Sequence, residues 1–413
     1  MSRALIRLVS VCCAILVGMD RGEAAAGRAF LLSGETKPAV AVAADLAGDG
    51  DKTHVVFTLS RPVTARVFSM ERPDRVIVDL PEVNFHLPAE TGQKRAGVVS
   101  SFRYGLFAAG RSRVVIDLTQ PALVSRVEVA TDVSGIALLR IELTRADRQA
   151  FRKAAETADP LPDVTATGST APDHGDERPL VVIDPGHGGV DPGAIAVGGA
   201  HEKDIVFGFA DHLRRRLAET GRYRVAMTRG GDVFVPLDER VRIARDAKAD
   251  LFISVHADSI SAAPQVRGLT VYTGSEQASD TESQRLAERE NKADAAAGLD
   301  AGAGPGDVAD ILQDLTLRET RSFSQRFAHK LVGGITSVMP LSKKPQREAA
   351  FRVLRAPDVP SVLVELGYLS SAKDIDLLLS ESWRDRSTAA MAAAIDRFFA
   401  TRVASGGTAP VSP

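Results

Sequence analysis

Short apolar runs alternate with amphipathic stretches in the second half of this 413-residue chain, and this alternation restricts the fold more than any other feature. The run Leu180 to Asp184 predicts a buried strand, and the residues that follow place Ile205, Phe209 and Leu213 at helical spacing. Further strands are predicted at 223–228, 251–255, 269–273 and 361–364, and further helices at 238–249, from 307 and through 391–399. The pattern predicts an α/β domain over 179–402, with a mixed, largely parallel sheet flanked by helices.

Polar residues stand where three of these strands end. His187 lies in Asp184-Pro-Gly-His-Gly-Gly189, His256 in Ser254-Val-His-Ala-Asp258, and Glu365 in Val362-Leu-Val-Glu-Leu366. In open α/β sheets, ligands bind beyond the carboxyl ends of the strands. We therefore expect these side chains to converge, although they are far apart in the sequence.

The residue types predict a zinc site. A zinc hydrolase uses about three protein ligands from histidine and carboxylate side chains and leaves one position open. His187, His256 and Glu202, which begins a predicted helix, would supply two imidazoles and one carboxylate. Any one of them taken alone is more often structural, but the set favours a metal. Only one of the neighbours His201 and Glu202 should face the site.

Glu365 is the best candidate for the general base. It ends an otherwise apolar strand, where an ionised carboxylate is costly unless it is paired or opens onto a cleft. A carboxylate that closes an internal salt bridge is the alternative. Asp184 and Asp258 lie beside the candidate ligands and are expected to orient the imidazoles.

The first half of the chain has a different pattern. Residues 37–145 alternate Val, Ile, Thr and Phe with polar residues, which predicts an all-β, sandwich-like domain. Arg75-Val-Ile-Val-Asp-Leu80 and Arg113-Val-Val-Ile-Asp-Leu118 repeat within it, either as equivalent strands or by coincidence. This half has no cluster of His, Cys or paired carboxylates that suggests catalysis, so binding or targeting is the better interpretation.

Composition and the chain ends indicate an exported protein. Residues 1–26 resemble a secretory signal peptide, either cleaved or retained as an anchor, and both cysteines, Cys12 and Cys13, lie inside it.

The 51 basic and 53 acidic residues nearly balance, so nothing global favours nucleic acid as a partner. No later stretch is predicted to span a membrane. Residues 146–178 predict a flexible linker, and 403–413 a disordered tail.

Four segments resemble the motifs of the zinc-dependent N-acetylmuramoyl-L-alanine amidases that split septal peptidoglycan in Gram-negative bacteria. They are Val181-Val-Ile-Asp-Pro-Gly-His-Gly-Gly189, Glu202-Lys203, Ser254-Val-His-Ala-Asp258 and Val364-Glu-Leu-Gly-Tyr-Leu-Ser370. The β-rich half resembles, more weakly, the AMIN domain that accompanies these enzymes. The resemblance implies one Zn²⁺ bound by His187, Glu202 and His256, catalysis by Glu365, a periplasmic location at the division septum, and an AMIN domain that binds peptidoglycan.

Residues 276–322 form an insertion that is longer than a simple crossover needs. In divisome-regulated members of this family, a helix in this region covers the zinc site until an activator with a LytM domain displaces it. We expect Glu290, or less favourably Glu288, to occupy the open zinc position at rest. The alternative is a solvated helix whose acidic residues face water.

Two other functions compete with the amidase. A zinc peptidase or amidohydrolase of another exported family would use the same ligands and would differ in its products. A non-catalytic peptidoglycan-binding protein would hold no zinc and show no turnover.

Overall fold

The computed structural model describes residues 38–88, 90–131, 136–157, 176–260, 266–299 and 311–404, without the side chains of 311–316 and 401–404. Several predicted features lie outside these residues. They are the signal peptide 1–26, most of the linker, the insertion residues 300–310 and the tail from 405 onward.

The first domain is a sandwich of two sheets. Its described strands are β1 (Ala39–Gly48), β2 (Lys52–Leu59), β3 (Arg66–Met70), β4 (Arg75–Pro81), β5 (Val83–Phe85), β6 (Val99–Ala108), β7 (Arg111–Leu118), β8 (Ala122–Thr131) and β9 (Ala137–Arg145). One sheet has the order β5-β1-β2-β9-β8 and the other β3-β4-β7-β6. Alternate residues such as Phe57, Phe102 and Ile116 fill the core between them. The predicted all-β sandwich is confirmed.

The two repeated segments are neighbouring strands. β4 and β7 pair antiparallel, in a register that sets Arg75 opposite Asp117 and Asp79 opposite Arg113. Each repeat thus places its arginine opposite the aspartate of the other. Arg113 binds Asp79 through two contacts of 2.5 and 2.9 Å, and both side chains are buried. The repeat therefore falls on two neighbouring strands that pair in one sheet.

The prediction of a flexible linker from residue 146 is wrong at its start. Helix α1 (Arg148–Glu156) begins after Asp147, whose side chain accepts a hydrogen bond from the Ala150 backbone. Its Phe151 is fully buried, and the helix packs against β3 and β8. The burial of Phe151 holds helix α1 against the sandwich, although the composition of the whole segment is polar.

The second domain is built on a six-stranded sheet of order β11-β10-β12-β15-β13-β14. Its elements are β10 (Leu180–Pro185), α2 (Glu202–Glu219), β11 (Arg224–Met227), α3 (Leu237–Asp246), β12 (Leu251–His256), β13 (Leu269–Gly274), α4 (Thr281–Glu290), α5 (Ala293–Ala296), α6 (Ile311–Ile335), β14 (Leu341–Ala349), β15 (Ser361–Glu365), α7 (Ala372–Leu378) and α8 (Glu381–Ala404). The first four strands in this order run parallel, and β13 runs antiparallel to β15. The predicted mixed, largely parallel sheet is confirmed.

Helices cover both faces of this sheet. Ile183 and Ile253 point into one apolar core with α2, α6 and α8, whereas Val182 and Phe252 point into a second core with α3 and α4. Consecutive residues of a strand face opposite sides, so strands buried on both faces are apolar throughout. None of the described helices combines the length and the hydropathy that a membrane span requires.

Besides α1, the elements α5, β14 and α7 were not expected from the sequence. β14 is the edge strand next to β13, and it contains Lys343, Lys344 and Pro345. Lysine and proline are frequent in edge strands because they hinder pairing with another chain. The strand therefore lacks the apolar pattern by which the other strands are predicted.

Candidate metal centre and active site

The loop after β10 fixes the first imidazole. His187 has a φ of 58°, in the left-handed region, which costs a non-glycine residue on the order of 1–2 kcal/mol. Arg240 supports this conformation by donating a 2.8 Å hydrogen bond to the His187 carbonyl oxygen. Asp191 Oδ2 lies 2.9 Å from His187 Nδ1 and orients the ring. Nε2 is consequently directed into the site, where it is buried and has no hydrogen-bond partner among the described residues.

A second imidazole and two carboxylates converge on His187 Nε2. The rings of His187 and His256 lie 4.9 Å apart, nearly perpendicular. Glu202 Oε1 is 3.2 Å from both His187 Nε2 and His256 Nδ1. Glu290 Oε2 is 3.6 Å from His187 Nε2 and 3.3 Å from His256 Nδ1. The three predicted ligands are thus brought together, and a fourth group from α4 joins them.

Glycines let the loop approach these side chains closely. A Cβ on Gly186 would lie 2.4 Å from His256 Cε1. A Cβ on Gly193, where φ is +66°, would lie 2.7 Å from Glu202 Oε2. Any larger residue at either position would occupy the space in which the imidazole and carboxylate meet.

The electrostatics suit a bound cation. Burial alone would lower the pKa of His187, but the carboxylates of Glu202, Asp191 and Glu290 raise it well above its ordinary value. Burial would raise the pKa of Glu202, but His187 and His256 hold it well below the usual range. The carboxylates near the two imidazoles outnumber them, so an additional positive charge would be stabilised there.

The donor set fits zinc. Two imidazole nitrogens and a carboxylate oxygen are the ligands of many catalytic zinc sites, and the unpartnered His187 Nε2 is accounted for by a metal. Ligand atoms of His187, His256 and Glu290 all lie within 4.8 Å of one another. The predicted ligand Glu202 approaches both imidazoles at least as closely as Glu290 does.

Glu365 lies beside this centre. Its position on β15 is directly opposite His256 on β12, and it is fully buried. Its Oε2 accepts a 3.0 Å hydrogen bond from the Asp258 backbone, while Oε1 has no hydrogen-bond partner among the described residues. Burial, followed by the negative charges of Asp258 and Glu202, raises the pKa of Glu365 well above its ordinary value. No arginine or lysine salt bridge to Glu365 occurs in the described part of the chain, so the salt-bridge alternative finds no support.

The two carboxylates that were expected to orient imidazoles bind other groups. Asp184 accepts from Thr228, Ser254 and Arg240, at 2.5, 2.7 and 2.8 Å. Asp258 contacts Arg289 of α4, and burial, then the charges of Glu290 and Glu202, raises its pKa to about 7. The expectation is therefore wrong in detail, because Asp184 acts on the His187 loop through an arginine.

Three positioning residues were missed, and they hold the loop together. Asp191 binds the His187 ring, Arg240 links Asp184 to the His187 carbonyl, and Arg229 donates to the carbonyls of Pro185, Gly186 and Lys203. Asp191 could have been found as the carboxylate that follows His187 by four residues in the same glycine-rich loop. The arginines bind mainly backbone oxygens, for which a sequence carries no signal.

Of the neighbours His201 and Glu202, only the glutamate faces the centre. His201 is the residue before α2 and lies 3.8 Å from Asp204. Glu202 opens the helix, and its carboxylate also accepts hydrogen bonds from the backbone of Ala194 and Ala257, at 2.9 and 2.8 Å.

Helix α4 of the insertion covers the metal centre and places Glu290 against both imidazoles. Glu290 is the last residue of α4 and is 7% exposed, whereas Glu288 is exposed and accepts a 2.9 Å hydrogen bond from Gln284. The cavity left between His187, His256 and Glu290 measures about 10 Å³. This is room for about one water molecule.

Replacing Asp191 with asparagine should weaken metal binding by roughly 10- to 100-fold, because an outer carboxylate that orients a ligating imidazole contributes that much. Zinc affinity is measured by competition with a chromophoric chelator. The control is Asp204→Asn, which changes a carboxylate that is 65% exposed and lies 3.8 Å from His201 Nδ1. Equal affinities for the two variants would show that Asp191 does not position a ligand.

Comparisons with known proteins agree with this geometry. A profile described as N-acetylmuramoyl-L-alanine amidase matches residues 181–397, and one described as AMIN domain matches residues 43–142. The N-acetylmuramoyl-L-alanine amidase AmiC of Neisseria meningitidis serogroup B is 32% identical over 365 residues, which cover 82% of this chain and 85% of the relative. AmiC of Escherichia coli O6:H1 is 31% identical over 369 residues, which cover 84% and 87%.

Among solved structures, the N-acetylmuramoyl-L-alanine amidase AmiC2 of Nostoc punctiforme is 28% identical, covers 54% of this chain and 97% of its own, and has a TM-score of 0.39. The amidase match spans more than half of the chain, and the AmiC relatives match along most of its length. The chain therefore belongs to the N-acetylmuramoyl-L-alanine amidase family and carries an AMIN domain ahead of its catalytic domain.

Proposed function

We propose that this amidase uses one zinc ion to cleave the amide between N-acetylmuramic acid and the L-alanine of the peptidoglycan stem peptide, and that it splits septal wall as daughter cells separate. The observation that carries the proposal is the convergence of His187, His256 and Glu202, with His187 Nε2 buried, 3.2 Å from Glu202 Oε1 and without a hydrogen bond among the described residues. Family membership supports the choice of bond.

The residues divide the work as follows. His187 Nε2, His256 Nδ1 and Glu202 would hold the metal, which when bound polarises a carbonyl and acidifies water. Glu365 Oε1, which has no hydrogen-bond partner among the described residues, is the atom that accepts a proton from the attacking water. The Asp258 backbone holds the other oxygen of this carboxylate in place.

In the proposed reaction, the carboxylate of Glu365 carries a proton from the attacking water to the leaving amine. The water oxygen bonds to the lactyl carbonyl carbon, and the carbon–nitrogen bond to L-alanine breaks. Glu365 passes the proton that it took from water to the departing amine, so it ends the cycle ionised as it began. The second proton of the water leaves the new lactyl carboxyl group and also ends on the amine, so at neutral pH the products are a free lactyl carboxylate on muramic acid and an ammonium group on L-alanine.

The resting enzyme is proposed to be autoinhibited by α4. Glu290 would take the position that substrate needs, and the contact between Arg289 and Asp258 anchors the helix beside it. The remaining cavity of about 10 Å³ cannot admit a stem peptide. The solvated-helix alternative describes Glu288, which is exposed, but it does not describe the buried Glu290.

Location and activation complete the proposal. The predicted signal peptide 1–26 would direct the protein to the periplasm, where the AMIN domain would bind peptidoglycan and enrich the enzyme at the septum. A divisome protein with a LytM domain would displace α4. Because substrate access requires this displacement, wall cleavage would be confined to the sites where the activator is present.

Metal content and product identity test the proposal together. Residues 27–413 are compared with His256→Ala, both in a Glu290→Ala background, using elemental analysis and mass spectrometry of peptides released from purified sacculi. We expect about one zinc per chain and release of stem peptides that begin with L-alanine, and loss of both in His256→Ala. Cleavage at a peptide bond within the stem would identify a peptidase instead.

A further inference from the structure

The AMIN domain contacts the catalytic domain through the outer face of its four-stranded sheet. Ile77 of β4 and Val115 of β7 point away from the sandwich core and pack against Val190, Phe234 and Ala297. All five side chains are buried. Val190 belongs to the His187 loop, and Ala297 directly follows α5 of the insertion. One face of the AMIN domain therefore touches both the metal-site loop and the insertion.

A buried arginine reinforces this contact. Arg113 Nη1 donates to the carbonyl oxygens of Ala297 and Gly298, at 3.2 and 3.1 Å. Asp79 holds the guanidinium in place, and the Phe107 ring centroid lies 3.6 Å from its carbon. The last carbonyls of a helix have no partner within the helix, and a cation there is favourable. Arg113 thus binds the two carbonyl oxygens that directly follow the short helix α5.

The AMIN domain also holds the loops around the site through β6. The Phe234 backbone donates a 3.2 Å hydrogen bond to the Leu106 carbonyl oxygen, and the rings of Phe107 and Phe234 stack with centroids 6.1 Å apart. A Cβ on Gly105 would lie 2.4 Å from the carbonyl carbon of Gly189. Backbone approaches this close fix the AMIN domain against the loop that carries His187.

The insertion is also hydrogen-bonded to the catalytic domain. Asp294 of α5 accepts a 2.9 Å hydrogen bond from the Leu237 backbone, and Asn291 donates a 2.8 Å bond to the Ala350 carbonyl oxygen. Only Asn291 and Lys292 separate α4 from α5. Because this connection is short, the placement of Ala297 and Gly298 restricts where Glu290 can lie.

We propose that the outer face of β4 and β7 is a docking surface for residues 297–299 of the chain's own insertion, and that this docking holds Glu290 in the metal centre. The AMIN domain is then part of the inhibitory device as well as a targeting module. The inference rests on the proposed autoinhibition and adds a second, distant requirement to it. Whatever loosens the AMIN contact should raise hydrolysis without touching a catalytic side chain.

Gly298 is the position at which to test this. Its φ is +74°, and a Cβ there would lie 2.5 Å from Ile77 Cδ1. Gly298→Arg adds bulk against β4 and a like charge beside Arg113. We expect basal release of stem peptides from sacculi to rise roughly 5- to 10-fold, at the low end of the usual coupling between two sites.

The matched control is Gly110→Arg. Gly110 has nearly the same backbone conformation, with a φ of +70°, but a Cβ there would meet nothing within 4 Å. This variant introduces the same strain and the same charge without entering the contact, and its activity should equal that of the wild type. Circular dichroism and the melting temperature of each variant establish that the fold is retained.

A milder variant covers the case in which Gly298→Arg does not fold. Ile77→Ala removes the side chain that meets Gly298 and leaves the backbone unstrained, and it should raise basal activity about 2- to 3-fold. Combined with Glu290→Ala, neither variant should add further activity. If Glu290→Ala is active while the folded Gly298 or Ile77 variants remain at the wild-type level, the docking proposal is wrong and autoinhibition stands. If Glu290→Ala itself is inactive, it is the proposed autoinhibition that fails.

Discussion

Replacing Glu365 with glutamine is expected to lower kcat for stem-peptide release by roughly 10²- to 10⁴-fold, the usual contribution of a positioned general base. Glutamine has nearly the same shape, and its carbonyl oxygen can still accept the hydrogen bond from the Asp258 backbone. It cannot take a proton from water at neutral pH. Since none of the candidate zinc ligands changes, metal content should stay the same.

The measurement uses the Glu290→Ala background, so that the starting rate is high enough to follow a large loss. Glu381→Gln is the control, because it makes the same change at an exposed glutamate on α8. A Glu365→Gln enzyme that keeps most of its activity would place the base elsewhere. One that loses its zinc would show that Glu365 belongs to the metal site.

The second large effect is expected from Glu290→Ala, which should raise basal hydrolysis of sacculi at least about 10-fold in the absence of any activator. The substitution removes the carboxylate that lies 3.6 and 3.3 Å from the two imidazoles. It also relieves repulsion with Glu365 and Asp258, whose pKa values Glu290 helps to raise. The site is left open for substrate.

Glu288→Ala is the matched control for this prediction. It makes the same change two residues earlier on α4, where the glutamate is exposed and accepts a hydrogen bond from Gln284. Any effect on helix propensity is shared by both variants, so a difference between them reports the metal-site contact. Equal rates would contradict the role of Glu290. Deleting residues 276–306 should also raise activity, but it removes the core residues Leu286 and Ala287 at the same time.

Much of the fold and of the site could be predicted, because the strands and the residues that follow them leave a local pattern of apolar and polar residues in the sequence. Apolar runs that end in a polar residue predict both the central strands and the convergence of His187, His256 and Glu365, since parallel strands end at one edge of the sheet. The choice between Glu288 and Glu290 depends on how α4 is rotated. Two acidic residues on one polar helix do not reveal that rotation, because it is set by the packing of α4 against the rest of the domain.

Other features could not be predicted because they depend on contacts between distant segments. Arg229 and Arg240 are charged residues that become buried by binding backbone oxygens of the His187 loop. The linker prediction missed α1 because a single buried Phe151 outweighs a polar composition. The contact of Arg113 with Ala297 and Gly298 joins residues 184 and 185 positions apart, and no periodicity carries such information.

The strand order of the catalytic sheet determines how much of the chain must be present before the site can form. β15 occupies the interior of the sheet between β12 and β13, yet it is the last of the described strands in chain order. Until it arrives, the sheet is split and the site lacks Glu365. A chain that lacks β15 therefore lacks both the strand that joins β12 to β13 and the candidate general base.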